Sequence, residues 1–445
     1  MKFPRQGGVF LHITSLPGGM GSGDLGPEAF RFVDWLAEAG QHIWQIMPLT
    51  GIGKGNSPYT SPSAMAGNEL LISLEKLAGE GFLEGVEAPE WADDHAVVFD
   101  RVIPFRMDKL AEAAGRFAEA ATPEQRAEYK AFCSEQAGWL DDYALFMALS
   151  EASGCTWWNE WEAPLAGRDP AALADAREEH AGRIAFWKFC QWQFDAQWRA
   201  LRRYANERGI KMFGDVPIFV AENSADVWAN PHLFKLDVGG KPVVVAGVPP
   251  DYFSETGQRW GNPLYDWDAH VAEGFGWWTE RVRHALEWVD ILRIDHFRGL
   301  EAQWEIPADH DTALNGQWMP VPGRALLETL QGALGKMPLV AEDLGMISDE
   351  VIRLRKGFAL PGMAVLQFAW DGSADNPFLP HNHTEDMIAY TGTHDNDTTL
   401  GWWQACTEDT RHSVRIYFHI DGQSIVRDMI TAVMHSRADQ AIIPM

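Results

Sequence analysis

The sequence predicts an α/β protein built on a (β/α)8 TIM barrel, and three observations carry that expectation. Eight short, near-continuous apolar runs recur along the 445 residues, as parallel strands buried on both faces should. Most of them are preceded by an amphipathic stretch at helical spacing, the alternation that builds parallel sheets. Four of them end in polar, mostly acidic clusters: GDVPIFV (214–220), LRIDHFRG (292–299), LVAEDLG (339–345) and YTGTHDND (390–397). Barrel enzymes place their chemistry at the carboxyl ends of such strands.

In order, VFLHITSLP (9–17) reads as the first strand, followed by a Gly-rich turn. PEAFRFVDWLAEAG (27–40) has Pro at a helix start, apolar residues at helical spacing and a closing Gly. HIWQIMPLT (42–50) is the second strand. KMFGDVPIFV, DILRIDHFRG, PLVAEDLG, MAVLQFAW (363–370), DMIAYTGTHD and QAIIPM (440–445) supply the other six. WWTERVRHALEWV (277–289) is the clearest connecting helix. The excess length falls in two insertions within one catalytic barrel, 1–445. Residues 51–210, between strands two and three, are rich in Ala, Glu, Arg and Trp at helical spacing and read as a helical subdomain. Residues 221–275, after strand three, are rich in Pro and Gly and contain the irregular segment VPPDYFSETGQRWGNPLYDW. Long irregular loops in compact folds are usually lids or binding loops.

The chain carries 63 acidic against 36 basic residues, a formal charge of −27, with no Lys/Arg run. That balance excludes a nucleic-acid or anionic-membrane surface as the main partner and suits a neutral substrate. Four cysteines, Cys133, Cys155, Cys190 and Cys406, lack CxxC or metal-ligand spacing and read as reduced thiols. With no signal-like or membrane-length apolar segment, a cytoplasmic location is expected. The 21 tryptophans include faces able to stack on pyranose rings, although core packing is the ordinary role for any one of them.

The acidic strand ends carry the carboxylates of glycosidic-bond chemistry. Residues i and i+2 share a strand face, so Arg293 and Asp295 point together and Ile294 and His296 point opposite. An arginine so placed can hold a carboxylate ionised and oriented, as a nucleophile requires; an isolated RxD would equally be a structural ion pair. Of the adjacent Glu342 and Asp343, only one faces the mouth of a regular strand, and the other caps the next turn or helix. The longer Glu342 is the better general acid if burial raises its pKa. Asp395 can bind hydroxyls that tighten as oxocarbenium character develops, with His394 donating beside it. Asp215 orients a further sugar or supports Arg293.

Together the segments LHITSLPGGMGSGDLGPEA, WQIMPL, GNSPYTSPSAMAGNELLI, GDVPIFV, SADVWANP, DYFSETGQRWGNPLYDW, LRIDHFRG, AEDLG, LPGMAVLQF and YTGTHDNDTTLGWW resemble the amylomaltases, or disproportionating enzymes. These are 4-α-glucanotransferases of glycoside hydrolase family 77 in the α-amylase clan. The resemblance runs along nearly the whole chain. It implies a retaining barrel enzyme without metal or cofactor, acting on malto-oligosaccharides, amylose or glycogen-derived glucans. It implies Asp295 as nucleophile, Glu342 as general acid/base and Asp395 as transition-state stabiliser. Arg293, His394 and Asp215 match donor-sugar contacts, Tyr59 matches the aromatic at the cleavage point, and His296 beside the nucleophile is a further substrate-binding candidate. Tyr252, Phe253, Gln258 and Trp260 match a mobile active-site loop that would keep water scarce until the acceptor arrives. Retaining carboxylates should stand ~5 Å apart.

The same carboxylates would serve a plain α-glucan hydrolase, and a truncated glucan-binding barrel is the third reading. The truncation enters because the resemblance implies a further loop and a closing helix after the last strand, whereas the sequence ends at Met445. A metal-dependent mechanism would need a second ligand cluster beside HDND, and the sequence offers none.

Overall fold

The computed structural model describes residues 3–93, 95–155, 157–250 and 254–445. In chain order its strands are β1 (Gln6–Phe10), β2 (Ile43–Gln45), β3 (Lys211–Val216), β4 (Val244–Val248), β5 (Gln258–Pro263) and β6 (Ile291–Ile294). After these come β7 (Ala302–Pro307), β8 (Gln317–Pro320), β9 (Leu339–Ala341), β10 (Gly362–Val365), β11 (Met387–Tyr390) and β12 (Gln440–Pro444).

Eight of them form one parallel sheet in the order β10-β11-β12-β1-β2-β3-β6-β9. The two ends meet where the Ala341 N–H donates to Pro361 O at 2.9 Å and the Met363 N–H donates to the Asp343 carboxylate at 2.8 Å. All eight expected strands are present, and the sheet is a nearly closed (β/α)8 barrel. Alternation along each strand separates two apolar layers. Ile43, Phe213, Ile291, Val340, Ile388 and Ile442 fill the barrel interior, while Trp44, Met212, Leu292, Leu339 and Ala341 face the surrounding helices. Two residues beyond an inward apolar side chain, the next one also points inward. This is how Gln45, Asp215 and Arg293 come to sit at the top of the interior behind Ile43, Phe213 and Ile291.

The 51–210 insertion is helical over Phe99–Ala120, Pro123–Glu135, Ala137–Ser153, Pro170–Glu179 and Ala181–Glu207. Local signals start two of these helices: a Thr122/Gln125 capping box and the Asp169 side chain accepting from two backbone N–H groups. The long helix Ala181–Glu207 buries Trp187, Phe189, Phe194 and Trp198 against the barrel layer, so insertion and barrel share one core. Two buried glutamines on this helix grip the chain after β2. Gln191 exchanges both amide bonds with Gly67, at 2.8 and 2.9 Å, and Gln197 accepts from the Ser73 N–H at 2.7 Å.

The second insertion differs from the irregular loop expected for 221–275. Two of its stretches are β4 and β5, which join β7 and β8 in a four-stranded antiparallel sheet ordered β5-β4-β7-β8. Half of this sheet comes from residues after β6, a long-range pairing that local pattern does not show. None of the described helices is long and apolar enough to cross a membrane.

Candidate active site

The strand ends β3, β6, β9 and β11 converge with the segment after β2. Asp215 and Arg293 are direct register partners on β3 and β6, and the Arg293 Nη1 donates to Asp215 Oδ2 at 2.6 Å. Its other terminal nitrogen lies 2.7 Å from Asp295 Oδ1. One buried guanidinium therefore holds two carboxylates in its planar fork. Burial favours loss of its proton, but Asp215 and Asp295 hold it well above its ordinary range. Burial pushes Asp215 up, and Arg293 opposes that shift.

Glu342 begins where β9 ends. Its Oε2 accepts from the His296 N–H at 2.7 Å and its Oε1 from the Leu344 N–H at 2.8 Å. Burial pushes its pKa up to about 7 against the pull of Arg293, and the nearby Asp295 charge raises it further. The neighbouring Asp343 turns away, as the single-facing argument requires. It does not cap a helix, however: it accepts from Met363 N–H and pairs with Arg355 at 2.9 Å.

The donor to Glu342 depends on an unusual backbone. β6 stops at Ile294, and His296 takes a left-handed conformation, φ 51 and ψ 51. Strand alternation thus does not reach His296, contrary to the expectation that it points opposite Asp295. Its ring lies edge-on to Trp260 with centroids 4.8 Å apart and near Phe219. Burial lowers its pKa to about 4, leaving the ring neutral.

Tyr59 sits on a single turn, Pro58–Thr60, whose N–H is capped by Ser57 Oγ at 3.2 Å. Its hydroxyl donates to Asp215 Oδ2 at 2.7 Å and lies 2.8 Å from His394 Nε2. Since the tyrosine proton goes to the carboxylate, Nε2 must be the donor to the tyrosine oxygen, which fixes the His394 tautomer. The His394 ring stacks on Tyr59 at 5.6 Å and 7° and meets Phe10 edge-on at 5.4 Å. Asp395 Oδ1 is 3.4 Å from the same Nε2, with the side chain largely exposed. A Thr393–Asn396 turn holds it, with Asn396 Oδ1 accepting from the Thr393 N–H at 2.9 Å.

The structure therefore brings together Tyr59, Asp215, Arg293, Asp295, His296, Glu342, His394 and Asp395. Gln258 and Trp260 lie on the edge strand β5 rather than in a loop, bonded to each other at 3.1 Å. Tyr252 and Phe253 lie outside the described residues.

Sequence reasoning missed three buried polar residues. His12, just after β1, is next to His394; burial and that neighbour lower its pKa to about 4. Gln45 accepts from the Tyr390 hydroxyl across the barrel interior at 2.9 Å. Gln367 donates to Asp397 O at 3.0 Å. His12 ends an apolar strand in a polar residue, the same signal that marked the four acidic segments. Of the tryptophans singled out by position, Trp158 and Trp161 are buried in packing, Trp158 donating to Glu222 O at 3.0 Å.

A parallel barrel with clustered carboxylates, one of them protonated near neutrality, defines a carbohydrate-active enzyme of the glycoside-processing kind. The profile of the 4-alpha-glucanotransferase family matches residues 11–445. The 4-alpha-glucanotransferase of Thermus thermophilus is 51% identical over 411 residues, covering 92% of this chain and 81% of that protein. That of Synechocystis sp. is 46% identical over 99% of this chain and 88% of its own length. The amylomaltase of Streptococcus agalactiae, solved in complex with acarbose, superposes with a TM-score of 0.95 at 38% identity, covering 99% of this chain and 90% of that one. The chain belongs to the 4-alpha-glucanotransferase family, and its function is that of a transferase.

Proposed function

We propose that the enzyme moves α-1,4-glucan segments from a donor malto-oligosaccharide to the 4-hydroxyl of an acceptor glucan by a retaining double displacement. The observation that carries this reading is the pairing of unlike carboxyls: Glu342, pushed up to about 7 by burial, beside Asp295 bonded by Arg293 at 2.7 Å. Groups whose environments push them apart take the acid and nucleophile roles.

In the first half-reaction Glu342 gives its proton to the glycosidic oxygen while an Asp295 oxygen attacks C1. The C1–O bond breaks, the reducing-end fragment leaves as an alcohol, and a β-linked glucosyl ester remains. In the second half-reaction the acceptor 4-hydroxyl gives its proton to the Glu342 carboxylate and attacks C1, and the ester bond to Asp295 breaks. Asp395 contacts sugar hydroxyls as positive charge develops at C1. Tyr59 offers its ring to the sugar, while Asp215, Arg293, His296 and His394 bind and orient the donor. Gln258 and Trp260, on the rim strand, help exclude water together with Tyr252 and Phe253. In domain terms the enzyme is a single barrel, 1–445, with 51–210 as a helical subdomain and 221–275 as a rim insertion.

The test is incubation with maltotriose alone and separation of the products by size. Glucose with maltopentaose and longer oligomers is expected. Glucose and maltose without longer products would replace this reading with hydrolysis.

A further inference from the structure

On the helical-insertion side of the molecule lies a cavity of about 430 Å³ with its own set of side chains, none of them among the catalytic candidates. It opens between the helix Ala137–Ser153, the helix Gly276–Trp288 and the segment 225–233. Its size falls within the ~300–1,000 Å³ range of small-ligand pockets. Two half-buried indoles, Trp139 and Trp277, stand in its wall. Indole faces stack well on the C–H faces of a sugar ring.

The rest of the lining decides the ligand class. Glu135, Asp142, Asp226, Glu273, Glu280 and Glu287 all contribute to it, which at first sight suggests a cation. Most of that charge is already met. Asp142 pairs with Arg168 at 2.8 Å, Glu273 with His232 at 2.8 Å, Glu280 with Arg283 and Glu287 with Arg199 at 3.9 Å. No grouping able to hold a metal ion occurs among the described residues. A carboxylate paired once still offers acceptor positions, since its two oxygens provide about four lone-pair sites. Flat aromatic faces, neutralised carboxylates and the amide of Asn230 form a set that recognises a neutral polyhydroxylated ligand.

We propose that this cavity is a second saccharide site, holding a short α-glucan segment apart from the catalytic centre. The choice of glucan among saccharides rests on the function proposed above. The site also adjoins the back of the segment that carries Tyr59. Asp226 Oδ2 accepts the Ala64 N–H at 2.7 Å, and His284 Nε2 lies 2.8 Å from Met65 O. A long glucan bound in both places would be retained between transfers, because the second contact is made at a high effective concentration.

The experiment titrates maltotriose into the full chain carrying Asp295→Asn, which blocks turnover, and reads stoichiometry by calorimetry. Two sugars per chain are expected. Gly138→Trp should plug the cavity: a Cβ at Gly138 meets nothing within 4 Å, and replacing a helical glycine favours the helix. Gly138→Trp and Trp139→Ala should each remove one sugar while leaving the remaining affinity within about twofold, and adding Tyr59→Ala should remove the other. Two sites, or one, with Gly138→Trp and Trp139→Ala both silent would overturn the cavity proposal. A site lost with Gly138→Trp beside a second one indifferent to Tyr59→Ala would support the cavity and count against the active-site reading instead.

Discussion

Replacing Glu342 with glutamine separates two consequences of one geometry. The carboxylate accepts one backbone N–H on each oxygen, from His296 at 2.7 Å and Leu344 at 2.8 Å. A glutamine has one acceptor oxygen, so one of these donors would face an NH2 group. An orphaned buried donor costs about 1–3 kcal/mol, which sets the scale of the expected loss of stability near pH 5. Catalysis should suffer more. Loss of a general acid costs about 10²–10⁴-fold, or roughly 3–5.5 kcal/mol at 1.36 kcal/mol per decade. The deficit should nearly vanish for the first step with an α-maltosyl fluoride donor, whose leaving group needs no proton. The wild-type kcat/KM on maltotriose should also fall as pH rises through about 7, because the acid form is lost there. Initial rates from pH 5 to 9, with both donors and both proteins, provide the assay. A Glu342→Gln enzyme keeping more than a tenth of its maltotriose activity, or an equal deficit with the fluoride in the glycosylation step, would refute the assignment.

Tyr59→Phe deletes a hydroxyl that bonds Asp215 and touches His394 at 2.7 and 2.8 Å. At ~1.5–3 kcal/mol for a hydrogen bond to a charged group, kcat/KM on maltotriose should drop about tenfold or more; a change under twofold would show the bridge to be idle. Gly53→Ala would place a Cβ 1.8 Å from the Thr60 carbonyl oxygen, forcing open the turn that presents Tyr59. Activity should fall by at least about tenfold while far-UV circular dichroism stays that of the wild type, and a fully active variant would contradict the close approach. The folded-state pKa of Glu342, about 7 against 4.5 for its ordinary value, means the native protein keeps a proton that the unfolded chain gives up. The stability from this group is full below pH 4.5 and is lost as pH rises through 7. The thermal midpoint should therefore fall less steeply between pH 5 and 8 in Glu342→Gln than in the wild type, and parallel slopes would refute the linkage.

The barrel was legible because its signal is local. A strand buried on both faces must be apolar at every interior position, and the polar residue that ends it can only be at the mouth. Asp215, Arg293, Asp295 and Glu342 follow from that rule alone. The antiparallel sheet was not legible for the converse reason. β5 and β8 are edge strands with largely exposed side chains, so burial imposes little pattern on them. β7 pairs with β4 across the intervening β6, and composition carries no trace of such a pairing.

What lay furthest beyond sequence reasoning was the electrostatics of Glu342. That a glutamate ends β9 is visible in AEDLG, but its acid strength depends on a backbone donor from another strand. The donor exists only because His296, a residue with a Cβ, occupies the left-handed region at φ 51, where non-glycine residues are uncommon. Such conformations persist only where surrounding structure over-determines them. Here the Asp295 N–H bonds to Val216 O and the Phe297 N–H to Glu342 O, at 3.0 and 3.1 Å, pinning the residues on either side. The strand pairings on both flanks of β6 thus fix the turn, the turn aims the His296 N–H, and that N–H with Leu344 sets how far burial can raise the acid. Two backbone donors oppose the shift and burial with Asp295 drives it, leaving the balance near neutrality. A carboxyl poised there can give a proton in one half-reaction and take it back in the next, as a transferase requires.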